Sequence, residues 1–298
     1  MNSPVPPPPP LYLANPKSTT NSKNISEEET PQPLSYDETG IDEVRVKVTC
    51  LPEWRSEQLS EETSTWLSVY TPVTAVLQNG PQCGIVALCM ASQLLCPQVL
   101  TPDIVFDTAK LHKFTTYGEI FSVKTMCKLA SILMDCEAIQ LPDGLDDFET
   151  VFKHLDDGCP ILVPYDKDES TAPCCRNGNK AHWAVVLGYL LPNVPPSLVS
   201  TLNQDKCFPN LYHKPKNVDL SSELTSHIQH NRSSVYVYAK QGKSKHLGVW
   251  SYQDLILSNN NLMEWQADKN EVNEKDMVLP DGGIKEGLSG QIVLLKQK

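Results

Sequence analysis

The chain has 298 residues, of which 40% are apolar, enough for a sizeable core in one large domain or two small ones. A formal net charge of −11 and a pI near 5.1 argue against non-specific nucleic-acid binding and against a polybasic membrane anchor. No stretch of 18 apolar residues is present, which excludes an apolar membrane-spanning helix.

Residues 1–44 read as a disordered, proline-rich tail. Pro4 and the run Pro6–Pro10 open it, and polar residues with Glu27-Glu28-Glu29 follow. Apolar residues are too sparse there to offset the entropy of ordering. From Val44 to Cys50 apolar and polar residues alternate, which predicts a short strand. Leu59 to Thr63 reads as a helix start. A domain over 45–298 is expected, with its core over 73–298. A helix is predicted from Cys83 to about Leu95, stopped by Cys96-Pro97. Thr101-Pro102-Asp103 caps a second helix through Leu111, Ser122–Asp135 forms a third, and Asp146–Leu155 a fourth. The period then changes from helical to alternating. Strands are predicted over Pro160–Tyr165, Ala181–Leu190, Ser233–Ala239 and Gly290–Leu295, with a short helix at Ser251–Leu257. Helices first and antiparallel strands after give an α+β order, helices packed on an antiparallel sheet. Residues 191–232 form a long insertion rich in proline, among them Pro192, Pro195, Pro196, Pro209 and Pro215. Both a lid and a mobile ornament fit its composition.

Two segments carry chemistry. In Asn79-Gly80-Pro81-Gln82-Cys83-Gly84 a turn delivers a cysteine to the first turn of an apolar helix. In Ala181-His182-Trp183-Ala184-Val185 a histidine opens a strand. A free thiol titrates near pH 8.5, and the positive end of a helix and a nearby imidazolium both favour its thiolate. The imidazole can later protonate a leaving amine. Cys83 is the expected nucleophile and His182 the base. Gly84 is expected to let a substrate backbone approach. His246 is the rival base, but it follows a lysine cluster that would disfavour imidazolium. The other histidines, His154 among them, read as surface residues.

With these contexts the chain resembles the papain-like cysteine peptidases, and within them is similar to the peptidases that trim bacteriocin leaders. With its proline-rich tail it resembles the animal actin maturation proteases. The resemblance implies a cysteine aminopeptidase of the cytosol that removes the acetylated first residue, Met or Cys, of immature actin. Papain-like enzymes place an oxyanion-binding glutamine six residues before the cysteine, where this chain has Leu77. Gln78 is preferred for the role, with Gln82 as the alternative. The superfamily orients its histidine with Asn or Asp on the following strand. Here that strand runs into Ala239-Lys240-Gln241-Gly242, and Gln241 is the candidate, with a backbone carbonyl or water as alternatives.

Ten cysteines and a start, Met1-Asn2-Ser3-Pro4, without a basic or apolar signal imply a reducing, cytoplasmic location. Asn2 stands where N-myristoylation needs glycine. Cys89, Cys96, Cys127, Cys136 and Cys159 lie in apolar segments and read as buried thiols. Cys174-Cys175 with Cys207 and His213 could suggest zinc, but adjacent cysteines chelate one ion awkwardly. No metal and no cofactor is expected. Pro6–Pro10 favours a polyproline II helix, and the cytoskeletal resemblance points to profilin as its partner. Actin N-termini are acidic, so Lys240, Lys243 and Lys245 are expected to line the cleft and steer the substrate. Two other functions fit the same features. One is a catalytically weak papain-like adaptor working through its tail. The other is a different thiol-dependent amide hydrolase, such as a deubiquitinase.

Overall fold

The computed structural model describes residues 36–57, 64–215, 218, 221–265 and 276–298. The sequence-predicted tail up to residue 35, its Pro6–Pro10 run and the helix start at Leu59–Thr63 lie outside the described residues. Chain order begins with helices α1 (Tyr36–Val48) and α2 (Pro52–Glu57) and strand β1 (Trp66–Tyr70). Helices α3 (Cys83–Leu95), α4 (Pro102–Leu111) and α5 (Val123–Leu133) follow, then β2 (Cys136–Leu141) and α6 (Phe148–Asp156). Strands β3 (Ile161–Asp166) and β4 (Ala181–Leu191) come next. The segment after β4 holds α7 (Pro196–Val199), β5 (Asn203–Gln204), β6 (Leu211–His213) and α8 (Ser221–His230). The chain closes with β7 (Tyr236–Gln241), β8 (Gly248–Ser251), α9 (Tyr252–Asn260), α10 (Gly283–Leu288) and β9 (Ile292–Gln297).

The cap read from the sequence at Thr101 acts as such, and Ser122 and Asp147 cap the next two α-helices. Thr101 Oγ1 accepts from Ile104 N, Ser122 Oγ from Thr125 N, and Asp147 Oδ1 from Thr150 N. Each satisfies one of the orphan N–H groups of a helix start. Helix α3 stops where predicted, because Cys96, ahead of Pro97, turns extended at φ −125.

The sheet runs β2-β9-β3-β4-β1-β6-β5, with β7 and β8 joined to the other edge of β4. All of these pairings are antiparallel except β1 with β6. Period-2 alternation divides its side chains between two cores. Ile161, Val163, Ala184, Val186 and Leu294 face α6, α8 and α9. Leu162, Trp183, Val185, Leu187 and Val293 face α3, α4 and α5. The α+β class is as expected, but the sheet is covered on both faces. Strand β4 is therefore almost wholly buried, with neighbours along both edges.

Val44–Cys50 is helical, not a strand, and belongs to α1. Val44 and Val48, one turn apart, are buried beside Trp54, Trp66 and Tyr238, while Val46 is exposed. Three alternating valines satisfy a strand period and an i, i+4 spacing equally, and docking decides for the helix. The expected tail boundary at 44 shifts accordingly, because the chain is helical from Tyr36. The described residues between 192 and 232 are built into the fold. Strand β6 extends the sheet beside β1, and α8 contributes Leu224 and Ile228 to the core of α6.

Candidate active site

The first turn of α3 and the first residues of β4 meet at a cleft of about 730 Å3 lined by both Cys83 and His182. Gln82 precedes the helix without a side-chain cap, so the leading N–H groups of α3 remain for other acceptors. The backbone N–H groups of Trp183, Gly84 and Cys83 all act on the Cys83 sulfur. Trp183 is the residue after His182, so the start of β4 reaches the Cys83 sulfur.

Gly84 does not face the cleft. It is buried, and a Cβ there would lie 3.0 Å from Met126 Cε and 3.1 Å from Trp183 Cδ1. The first turn of α3 presses onto β4, so glycine serves the approach of helix to strand rather than of substrate. The Trp183 indole in turn donates to Ile120 O at 2.8 Å and pins the far cleft wall. That wall is organised by Glu119, whose buried carboxylate accepts from Thr115 Oγ1 and from the backbone N–H groups of Thr116, Tyr117 and Val278.

His182 is buried, and its Nε2 lies 3.1 Å from Gln241 Oε1. The register explains the choice of residue. Gln241 pairs with Ala184, two residues from His182 on the same side of β4. Such a diagonal gap suits a long side chain, and glutamine has one methylene more than asparagine. The Oε1 also accepts from Lys243 N at 2.6 Å, and the Nε2 of Gln241 donates to Thr171 Oγ1 at 3.1 Å. A backbone N–H can only donate, which identifies the atom facing His182 as the amide oxygen. His182 therefore carries its proton on Nε2 and keeps Nδ1 free.

Burial pushes the Cys83 thiol up, against the three backbone N–H groups and the Lys243 charge, which favour thiolate. Burial likewise draws His182 down, to about 3, with Lys167 and Lys243 adding to the shift and the Gln241 bond opposing it. Both shifts favour the neutral forms, a thiol and an imidazole that line the same cleft. The sequence led us to expect a standing thiolate. Desolvation opposes the helix end because His182 is buried and Cys83 is half-buried among apolar neighbours.

Gln78 lines the cleft and Gln82 does not. Gln78 Nε2 donates to Gly80 O at 2.6 Å, which leaves its second N–H free, and its Oε1 is buried without a partner. Gln82 instead packs under Gly118, where a Cβ would meet its Cγ at 2.6 Å. His246 is exposed and lines a second cavity, of about 400 Å3, that has Gln241 in its wall. His154, read as a surface residue, is buried against Pro160 O and Leu295 O on the inward face of α6.

The expected lysine patch is corrected. Lys240 points inward from β7, 3% exposed, and bonds Glu43 Oε1 at 2.8 Å and Val73 O at 2.7 Å. Lys245 is exposed and outside the cleft, whereas Lys243 lines it together with Lys167 and Lys180. Local spacing suggested three clustered cations, but alternation on β7 turns the first of them into the core. Thr171, Lys167, Lys180 and Glu119 were missed, since no local motif marks them. Among the described residues no group of three or more His, Cys, Asp or Glu could hold a metal ion. His213 bonds Asp205 Oδ2 at 2.8 Å. Of the thiols expected to be buried, Cys89 and Cys136 are; Cys96, Cys127 and Cys159 are partly exposed. No helix among the described residues is long and apolar enough to cross a membrane.

Residues 73–190 match the family described as actin maturation protease-like, C-terminal domain. The chain is 37% identical over 240 residues to the actin maturation protease of Danio rerio, covering 77% of this chain and 74% of that one. To the actin maturation protease of Homo sapiens it is 36% identical over 234 residues, 77% of this chain and 66% of the human protein. To that of Drosophila melanogaster it is 33% identical, over 72% of this chain and 65% of the other. Among solved structures, the peptidase domain of Streptococcus ComA, a bi-functional ABC transporter, aligns with a TM-score of 0.37 at 11% identity, over 76% of this chain and 100% of that one.

Proposed function

Since the chain belongs to the actin maturation protease family, we propose that it is a cysteine aminopeptidase that removes the acetylated first residue, Met or Cys, from immature actin, with Cys83 as nucleophile and His182 as base. The observation that carries the reading is that His182, which lines the cleft with Cys83, pairs its Nε2 with Gln241 Oε1 and so leaves Nδ1 free to take a proton.

Cys83 Sγ attacks the carbonyl carbon of the first residue as its proton passes to His182 Nδ1. The oxyanion forms against the N–H of Cys83 and the second amide N–H of Gln78, donors worth about 3 kcal/mol each in well-studied enzymes. The C–N bond then breaks, and His182 returns the proton to the departing amine of the second residue. Water, deprotonated by His182, hydrolyses the thioester and releases the acetylated amino acid. Gln241 steadies the imidazolium that exists between these steps. Lys167, Lys180 and Lys243, all lining the cleft, suit an acidic peptide, and Phe121, Trp265 and Met277 line it as well.

The enzyme acts in the cytoplasm under this reading, and Pro6–Pro10 holds profilin, which also carries actin. The test is incubation with an acetylated actin N-terminal peptide, followed by mass spectrometry. The wild-type protein should shorten the peptide by one acetylated residue, and Cys83→Ser and His182→Ala should not. A Cys83→Ser protein that keeps more than a few per cent of the rate would remove Cys83 from the mechanism. A wild-type protein that binds the peptide without cutting it would favour the adaptor.

A further inference from the structure

Thr171 has φ +73. A β-branched residue in the left-handed region is an outlier that surrounding contacts must impose, and such outliers gather at functional sites. The contacts are visible. Thr171 N donates to Asp168 O at 3.2 Å, Ala172 N to Asp168 Oδ1 at 2.9 Å, and Asp168 N to Ala172 O at 2.9 Å. Two groups of Thr171 then reach toward His182 by separate routes. Its Oγ1 accepts from Gln241 Nε2, and Gln241 Oε1 holds the imidazole. Its carbonyl accepts from Tyr165 Oη at 3.0 Å, and the Tyr165 ring stands edge-on to His182 with centroids 5.8 Å apart.

The amide of Gln241 has two orientations, and only one is useful. With the oxygen inward it accepts from His182 and Lys243 N; turned over, its NH2 would face the Lys243 N–H. Lys243 N holds one end of the amide and the Thr171 hydroxyl the other. We propose that Thr171 is a positioning residue of the peptidase site: its strained backbone aims the hydroxyl at the Gln241 amide, and so keeps His182 in the tautomer with Nδ1 free to face Cys83. The proposal rests on the reading of Cys83 and His182 as nucleophile and base.

Thr171→Ser, Thr171→Val and Thr171→Gly in the full-length protein separate hydroxyl from backbone. Val keeps shape and strain without the hydroxyl; Gly removes both and fits φ +73 freely, so it should fold even where Val does not. Ser should retain the wild-type kcat. Val and Gly should each lower kcat about five- to tenfold, the effect of one hydrogen bond, with KM unchanged. By 15N NMR of the histidine rings, wild type and Ser should show one protonated Nε2 at His182, and Val and Gly a mixture of tautomers. A wild-type kcat and ring spectrum in Val or Gly would overturn the proposal, as would a Ser variant as slow as Val. Cys83→Ser and His182→Ala run alongside: if either is active, the reading of the site fails. The ring spectra need no turnover and judge Thr171 in either case.

Discussion

Gln241 Oε1 accepts from His182 Nε2 across 3.1 Å although its backbone sits opposite Ala184 rather than His182. The side chain spans the diagonal between β7 and β4, so its length is part of the site. Gln241→Asn should fall short by one methylene and lower kcat about 10- to 100-fold, as expected for a hydrogen bond that serves a charged intermediate. Gln241→Glu keeps the length and adds a negative charge, which should raise the His182 pKa. An Asn variant as fast as wild type would show that reach is irrelevant.

The buried neutral imidazole makes a prediction for stability. His182 titrates near pH 6.5 when unfolded and is held down to about 3 when folded. Between those values the unfolded chain binds the extra proton, so its stabilising contribution is present above pH 6.5 and is lost as pH falls toward 3. The slope should approach about 1.4 kcal/mol per pH unit within that window. Burial lowers His154 as well, so the same trend arises from both. Urea midpoints measured from pH 7 to pH 4.5 should therefore fall less steeply for His182→Ala than for wild type. Parallel curves would mean that folding does not lower the His182 pKa.

Lys240 and the cleft lysines should behave differently. Lys240 is buried against Glu43 and Val73 O. Lys240→Ala should cost about 1–3 kcal/mol, because it leaves Val73 O without its donor while Glu43 is 29% exposed and still accepts from Tyr70 Oη. Its kcat should hold at temperatures where it is folded. Lys167→Glu with Lys243→Glu should leave the melting temperature near that of wild type and lower kcat/KM for an acidic peptide, with the deficit shrinking as salt rises. A peptide carrying serine at the acidic positions should be nearly unaffected. Equal loss on both peptides would mean that these lysines support the loop rather than meet substrate.

Helix α1 sets where the tail can be cut. Val44 and Val48 are core residues, so a deletion of residues 1–44 would remove part of the fold. Deletion of residues 1–35 should leave cleavage of a short acetylated peptide unchanged and slow cleavage of profilin-bound actin. Tethering raises the local concentration of substrate, which a free peptide does not need. Equal slowing of both would place the tail in the catalytic body.

What the sequence determined by itself was local. The Gly80-Pro81 turn into α3, the stop at Cys96-Pro97, the cap at Thr101, the helix start at Ser122, and the alternation through β3 and β4 are short-range signals. They fixed the helix that carries Cys83 and the strand that carries His182. Gln241 was legible as a side chain able to present an amide oxygen at a strand end. The tertiary structure decided the rest. Whether Val44–Cys50 became helix or strand depended on the pocket of Trp54, Trp66 and Tyr238 that received two of its valines. Whether Lys240 reached water or Glu43 depended on the face of β7 that α1 covers. Thr171 meets Gln241 across 70 residues of chain, and burial pushes the Cys83 thiol up and the His182 imidazole down. Propensity and periodicity act over a few residues, whereas desolvation and pairing act through space between segments that only folding brings together.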